Sequence, residues 1–304
     1  MKRTRERTAP RLAPYAFVTP AVVLYALVLL IPIGYTVYLS VEKSQVSGLG
    51  LGLGGRRQVF AGLSNYASAL TDAAFLSSVV RVVIYSLILV PVMLGLALLF
   101  ALLIDARRVR YQRFGRLSIF LPYAVPTVIA SLLWGFLYLP TVSPFPTVLG
   151  KIGLSMPNLF ATHVVLLSVA NIGVWGGTGF NMIVMYTALR AVPSELYEAA
   201  RIDGASQWQV ALRIKIPMIA PALVLTGVFS LIATLQVFNE PQTLYPLTNT
   251  ISQEWMPLMR VYSLAFNDNN SYQAAALSVI IAAVMFVGSF FLLRISNKRV
   301  FQGR

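Results

Sequence analysis

The sequence predicts an all-α polytopic membrane protein with six transmembrane helices, on three observations. Only 11% of the 304 residues are charged, against about 25% in soluble domains. Mean hydropathy is +0.73. The apolar residues also gather into six runs long enough to cross a hydrocarbon core, which takes about 20 residues each. A chain this poor in charge cannot cover a water-facing surface.

The runs follow one another as Tyr15–Ser40, Phe75–Ile104, Leu117–Pro140, His163–Leu189, Ile219–Phe238 and Gln273–Leu293. The first is too long for a signal-peptide core and has no clear small-residue cleavage site, so it is expected to stay as a helix. Pro20 and Pro32 within it free backbone groups that neighbouring helices must satisfy. Before the second run, the stretch GLGLGLGG places Gly50, Gly52 and Gly55 at the spacing of a nucleotide-binding fingerprint. No strand–turn–helix pattern surrounds it, so a flexible loop is expected.

Orientation follows from the Lys/Arg bias of the loops. Most of the 24 basic residues lie in four places on one side: the tail with Lys2, Arg3, Arg5, Arg7 and Arg11; the DARRVRYQRFGR loop; the loop from Arg190 to Lys215; and the end with Arg294, Lys298, Arg299 and Arg304. Both termini are therefore expected in the cytoplasm. Residues 1–14 form one cytoplasmic tail, 15–294 a single six-helix domain, and 295–304 the other tail. The net charge of +14 is then a topology signal with attraction to anionic membrane lipid, and nucleic-acid binding is not expected. The chain has no cysteine and one histidine, His163, so disulfides, Cys-based zinc sites and Cys nucleophiles are excluded. No metal site or catalytic residue is predicted, and no P-loop sequence is present for binding ATP.

The polar stretch SELYEAARIDGASQWQVALRIKIPMIAP, Ser194 to Pro221, lies between the fourth and fifth runs. Ser194 is expected to cap a helix whose first turn carries Glu195 and Glu198, with Arg201 placed to pair with Glu198. Gly204 suits a left-handed helix end. Ser206 and Gln209 form an S-x-x-Q capping box that restarts a helix in a new direction; Trp208, Ala211 and Leu212 fall on one face of it, and Pro217 and Pro221 close it. Residues 194–217 therefore read as a cytoplasmic helical hairpin, either a plain amphipathic connection or a docking element.

This stretch resembles the EAA loop of the membrane subunits of binding-protein-dependent ABC importers, whose pattern is E-A-A-x-x-x-G followed by I-x-L-P. The matching residues are Glu198, Ala199, Ala200, Asp203, Gly204, Ala205, Ile214 and Pro217, with Ile216 in place of the usual Leu. VMLGLALLFALLID, LQVFNEPQTLYPLT and YQAAALSVIIAAVMFVGSFFLLR are similar to spans of the maltose-type, carbohydrate branch, and the resemblance covers nearly all of residues 15–304. One departure is Leu247–Ser252, where many sugar members are Gly-Gly-rich. The resemblance implies a type I ABC importer permease in the cytoplasmic (inner) membrane of a prokaryote. Its coupling helix would be Glu198–Gly204. Its partners would be a second, related permease, two cytoplasmic ATPase subunits that hold ATP and Mg, and an extracytoplasmic substrate-binding protein. The chain itself would be neither an enzyme nor a cofactor carrier.

Polar groups within spans are costly unless paired or facing a cavity. Trp134, Tyr138, Asn171, Trp175, Asn181, Gln236, Asn239 and Glu240 are therefore candidates for a solute pathway. Neutral hydrogen-bonding groups and flat aromatic faces suit a mono- or oligosaccharide. The same residue types also join helices or anchor at interfaces. Gly173, Gly176 and Gly177 are expected to permit close packing. Alternatives are import of a polyol or glycerol 3-phosphate, a stand-alone secondary transporter, or a membrane-embedded enzyme. The near absence of acids within spans and of any nucleophile–base cluster weighs against the last two.

Overall fold

The computed structural model describes residues 13–46, 56–106 and 111–300. The basic residues Lys2–Arg11, the glycine-rich stretch with Gly50, Gly52 and Gly55, Arg107, Arg108 and Arg110, and residues 301–304 lie outside the described residues. The chain divides into two compact units, residues 1–71 with 264–280, and residues 72–263 with 281–304.

In the first unit, α1 (Ala13–Tyr25) and α2 (Ile31–Ser40) join through a wider π-turn at Ala26–Leu30. Proline explains the widening: its ring lacks an N–H and clashes with the carbonyl four residues back. Ile31, just before Pro32, donates its N–H five residues back, to Ala26 O. A two-stranded antiparallel ribbon follows, β1 (Glu42–Val46) against β2 (Arg56–Phe60), then α3 (Ser64–Thr71). Asn65 Nδ2 donates to the carbonyls of Ser40 (2.8 Å) and Glu42 (2.7 Å), which fixes α3 beneath the end of α2.

The second unit is built on α4 (Ala73–Asp105), a 33-residue helix about 50 Å long at 1.5 Å per residue. After it come α5 (Gln112–Phe120), α6 (Thr127–Tyr138), α7 (Phe145–Gly150) and α8 (Val165–Arg190). The hairpin follows as α9 (Ser194–Ile202), α10 (Gln207–Val210) and α11 (Ile216–Met218). The remaining helices of this unit are α12 (Ala220–Leu235), α13 (Asn239–Leu244) and α14 (Pro257–Tyr262); α15 (Ser271–Val300) belongs to the first unit up to Ile280 and to the second from Ile281. Helix α8 lies along α4, and the two contribute to both hydrophobic cores: Tyr85, Leu89 and Met93 with Val169 and Ile172 in one, Ala97 and Ala101 with Met182 and Met185 in the other.

Among the described residues, four helical segments are long and apolar enough to cross a membrane: Pro14–Ser40, Ala73–Asp105, Ala220–Leu247 and Ser271–Phe291. The third predicted span, Leu117–Pro140, is instead two helical pieces, Gln112–Ala124 and Thr127–Tyr138, bent by 95°, and would make a fifth. The bend sits where Val125 and Pro126 are extended (ψ 124° and 134°), because a residue before proline is pushed out of the helical region. Helix α8 has 26 residues and reaches about 39 Å. Its asparagines and glycines dilute its hydropathy; of them Asn181 and Gly179 are buried, as is Thr178.

Packing is closest at three glycines of α8. A Cβ added at Gly173 would stand 2.4 Å from Leu89 Cδ1, and one at Gly177 2.4 Å from Met93 Sδ. At Gly179 it would lie 2.3 Å from the Ile119 carbonyl oxygen and 2.7 Å from Phe120 Cα. Gly176 departs from the expectation, since a Cβ there meets nothing within 4 Å and the residue borders a cavity. Backbone cannot move aside as a side chain can. Gly179→Val is therefore expected to destabilise the protein by about 1–3 kcal/mol, read as a lower thermal midpoint in detergent, whereas Gly176→Ala leaves the midpoint unchanged or higher.

Candidate functional site

Two features stand out in the second unit: the polar hairpin beyond α8 and a cavity beside α4, α8 and α12.

The hairpin is set by local sequence. Asp203 and Gly204 end α9, with Gly204 at φ +77°. Gly204 N–H donates to Arg201 O (3.1 Å) and Ala205 N–H to Ala200 O (2.9 Å), the paired bonds of a Schellman end. The capping box forms as expected: Gln209 N–H donates to Ser206 Oγ (3.3 Å) and Ser206 N–H to Gln209 Oε1 (2.7 Å). At the other end the expectation fails. Pro193 holds the N-cap position with no side-chain cap bond, and Ser194 is already helical. Proline carries the chain in extended geometry (ψ 135°) directly into the first turn. Nor does Pro217 close the second helix. A π-turn at Ala211–Lys215, with Ile216 N–H on Ala211 O, carries the helix on to Met218, repeating the solution used before Pro32.

Of the motif residues, Ala200, Asp203, Gly204, Ala205 and Ile214 line a concavity of about 370 Å³ in the crook of the hairpin. Glu198 and Ala199 are exposed on α9, and Pro217 is exposed further on. Ile202 and Trp208 beside them are 87% and 70% exposed.

Groups that sequence reasoning passed over hold the hairpin to the bundle. Lys215 Nζ donates to Asp105 Oδ2 at the C-terminal end of α4 (2.5 Å), the two side chains being 15% and 7% exposed. The same ammonium lies 5.2 Å from the centroid of the Tyr197 ring on α9. Burial, then the charge of Asp105, pushes the Tyr197 phenol up, with Arg190 opposing. At the far end of α4, Asp72 caps the helix by accepting from Ala74 and Phe75 N–H. It also accepts from Arg260 Nε (3.0 Å) and Nη2 (2.8 Å), while Arg260 pairs in addition with Glu254.

The cavity has a volume of about 640 Å³. Four candidate residues border it: Asn181, Gln236, Asn239 and Glu240. The other four form a packed cluster that is absent from its lining. Trp134 lies tilted at 5.8 Å from Tyr138 and edge-on at 6.0 Å from Trp175; Asn171 Nδ2 donates to Tyr138 Oη (2.9 Å), which donates to Ser168 O (2.9 Å). The cavity wall gains hydroxyls that were not singled out, Thr226, Ser230 and Thr234. Their spacing of four on α12 was the available signal, since such residues share a helix face. Ser230 Oγ donates to Asn181 Oδ1 (3.3 Å), joining α12 to α8. Arg81 is occupied elsewhere, donating to Trp255 O (2.5 Å) and lying over the Trp255 ring.

The second unit thus joins membrane-length apolar helices to a polar hairpin tied to α4 by Lys215 and Asp105. Residues 66–302 match the family described as binding-protein-dependent transport system inner membrane component, and the chain belongs to it. It is 29% identical to the sn-glycerol-3-phosphate transport system permease protein UgpA of Agrobacterium fabrum, over 96% of this chain and 97% of that one. It is 28% identical to the lactose transport system permease protein LacF of Rhizobium radiobacter, over 91% of each. Its fold matches a chain of a bacterial ABC transporter involved in the import of the acidic polysaccharide alginate, with TM-score 0.80 at 22% identity over 94% and 95% of the two chains. The fold is accordingly that of an ABC importer permease.

The ion pairs predict a pH dependence. Burial pushes the Asp72 carboxyl up, but Arg260 together with the N–H groups of Phe75 and Ala74 outweighs it and holds it below the ordinary 3.8. The bond therefore stabilises the fold fully above that value and is lost as pH falls through and below it. Thermal midpoints measured from pH 7 to pH 3 should fall steeply near the acid end. Arg260→Met should lower the neutral midpoint and flatten that fall.

Proposed function

We propose that this permease forms half of the translocation pathway for a sugar or polyol in an ATP-driven importer. Its hairpin, residues 194–217, docks on an ATPase subunit. The second half of the pathway is a related permease, each permease sits on one of two cytoplasmic ATPase subunits, and an extracytoplasmic binding protein delivers the solute. ATP and Mg bind to the ATPase partners. Both termini and the hairpin face the cytoplasm, in keeping with the basic residues at Arg190, Arg201, Arg213, Lys215 and Arg294.

The observation that carries this reading is the attachment of the hairpin. Gly204 and the Ser206–Gln209 box set the turn between α9 and α10, and Lys215 ties the same hairpin to Asp105 at the end of α4. A push on α9 is thereby delivered to a helix that also borders the cavity through Tyr85, Leu89 and Met93. Neutral amides and hydroxyls in the cavity wall, with the rings of Tyr123 and Phe180 stacked at 5.0 Å beside them, suit the polar and apolar faces of a sugar. The lactose system's permease is a relative consistent with that class. Glycerol 3-phosphate, named for another relative, would meet no Lys, Arg or His among the described residues of this wall.

Gly204→Arg and Glu198→Lys test the docking role. A left-handed turn closed by a large side chain, and a reversed charge on the exposed face of α9, should leave membrane insertion intact and abolish substrate-stimulated ATP hydrolysis by the assembled complex. Retention of coupled hydrolysis in both variants would refute docking through this hairpin.

A further inference from the structure

Resting on the reading of the cavity as solute pathway, we infer that Glu240 makes this half of the pathway an anion filter. The wall admits neutral polyhydroxylated or ammonium-bearing solutes and disfavours those carrying phosphate or carboxylate.

The inference stands on charge inventory and geometry. Among the described residues that border the cavity, Glu240 is the one formally charged side chain; the rest are aliphatic, aromatic, hydroxyl or amide groups. It is the second residue of α13, after Asn239, and is half-buried, and among the described residues no ion pair involves it. Arg81 is engaged with Trp255, and Arg260 with Asp72 and Glu254. A single carboxylate in a cleft with apolar walls concentrates its field along the opening, enriching cations and depleting anions there. It also accepts hydrogen bonds from solute hydroxyl or ammonium groups, and it has nothing to donate to a phosphate oxygen when ionised.

The absence of cysteine from the sequence allows a direct test. Ala233 borders the cavity and is exposed, so Ala233→Cys places one thiol there. The full chain, assembled with its partner subunits in membrane vesicles, is reacted with 2-(trimethylammonium)ethyl methanethiosulfonate and with 2-sulfonatoethyl methanethiosulfonate. Each rate is normalised to that with free cysteine, with and without ATP. With Glu240 present, the cationic reagent should be favoured by roughly tenfold or more. Glu240→Gln should bring the ratio close to one, and Glu240→Asp should restore most of it. A ratio unaffected by Glu240→Gln, or one near unity in the parent, overturns the filter while leaving the pathway intact. If neither reagent reaches Cys at position 233 in either nucleotide condition, the cavity is not the pathway and the filter falls with it.

Discussion

Helix α4 is held at both ends by carboxylates and along its middle by α8, and the rest of the second unit depends on that. Asp72 begins the helix and accepts from Arg260; Asp105 ends it and accepts from Lys215. The second pair also answers an electrostatic problem, because a carboxylate at the C-terminal, partly negative end of a helix is unfavourable without a cation beside it. Between these ends, Leu89 and Met93 fill the space that Gly173 and Gly177 leave open on α8. A 33-residue helix so constrained behaves as a strut. Burial by hydrophobic packing sets its neighbours, and the ion pairs set which loops are attached to it.

The hairpin was legible in the sequence because its determinants are local. A left-handed glycine and an S-x-x-Q box act over three or four residues, and both were found in place at Gly204 and Ser206–Gln209. Its start was misread because Ser194 is a good capping residue, yet Pro193 already occupies that position. The third span was read as one run because hydropathy carries no direction. Pro126 and its extended predecessor turn the chain by 95°, and proline in that run was the signal. The Lys215–Asp105 pair joins residues 110 positions apart, so no local pattern could reveal it. The cavity was half legible. Polar residue type identified Asn181, Gln236, Asn239 and Glu240, but type alone could not separate them from Tyr138, whose hydroxyl donates to Ser168 O, and Asn171, which is exposed and donates to that hydroxyl.

These features bear on one another through α4 and α8. In the proposed importer, work done on the hairpin by an ATPase reaches α4 through Lys215 and reaches α8 through the chain itself, since α9 follows α8 after three residues. Both helices border the cavity, so in that importer a displacement of the hairpin is passed on to its wall. Ser230 on α12 joins Asn181 on α8, which extends the same body to the hydroxyl-bearing wall.

The central claim is that hairpin and α4 move as one piece. The cysteine-free sequence permits spin labels at Glu195→Cys on α9, outside the motif residues, and Leu103→Cys near the end of α4, both exposed positions. Their separation can be measured by pulsed electron double resonance in the assembled complex with and without ATP. The account predicts one narrow distance distribution that does not shift between the two conditions. A nucleotide-dependent shift of several ångströms, or a broad distribution in either condition, would contradict it.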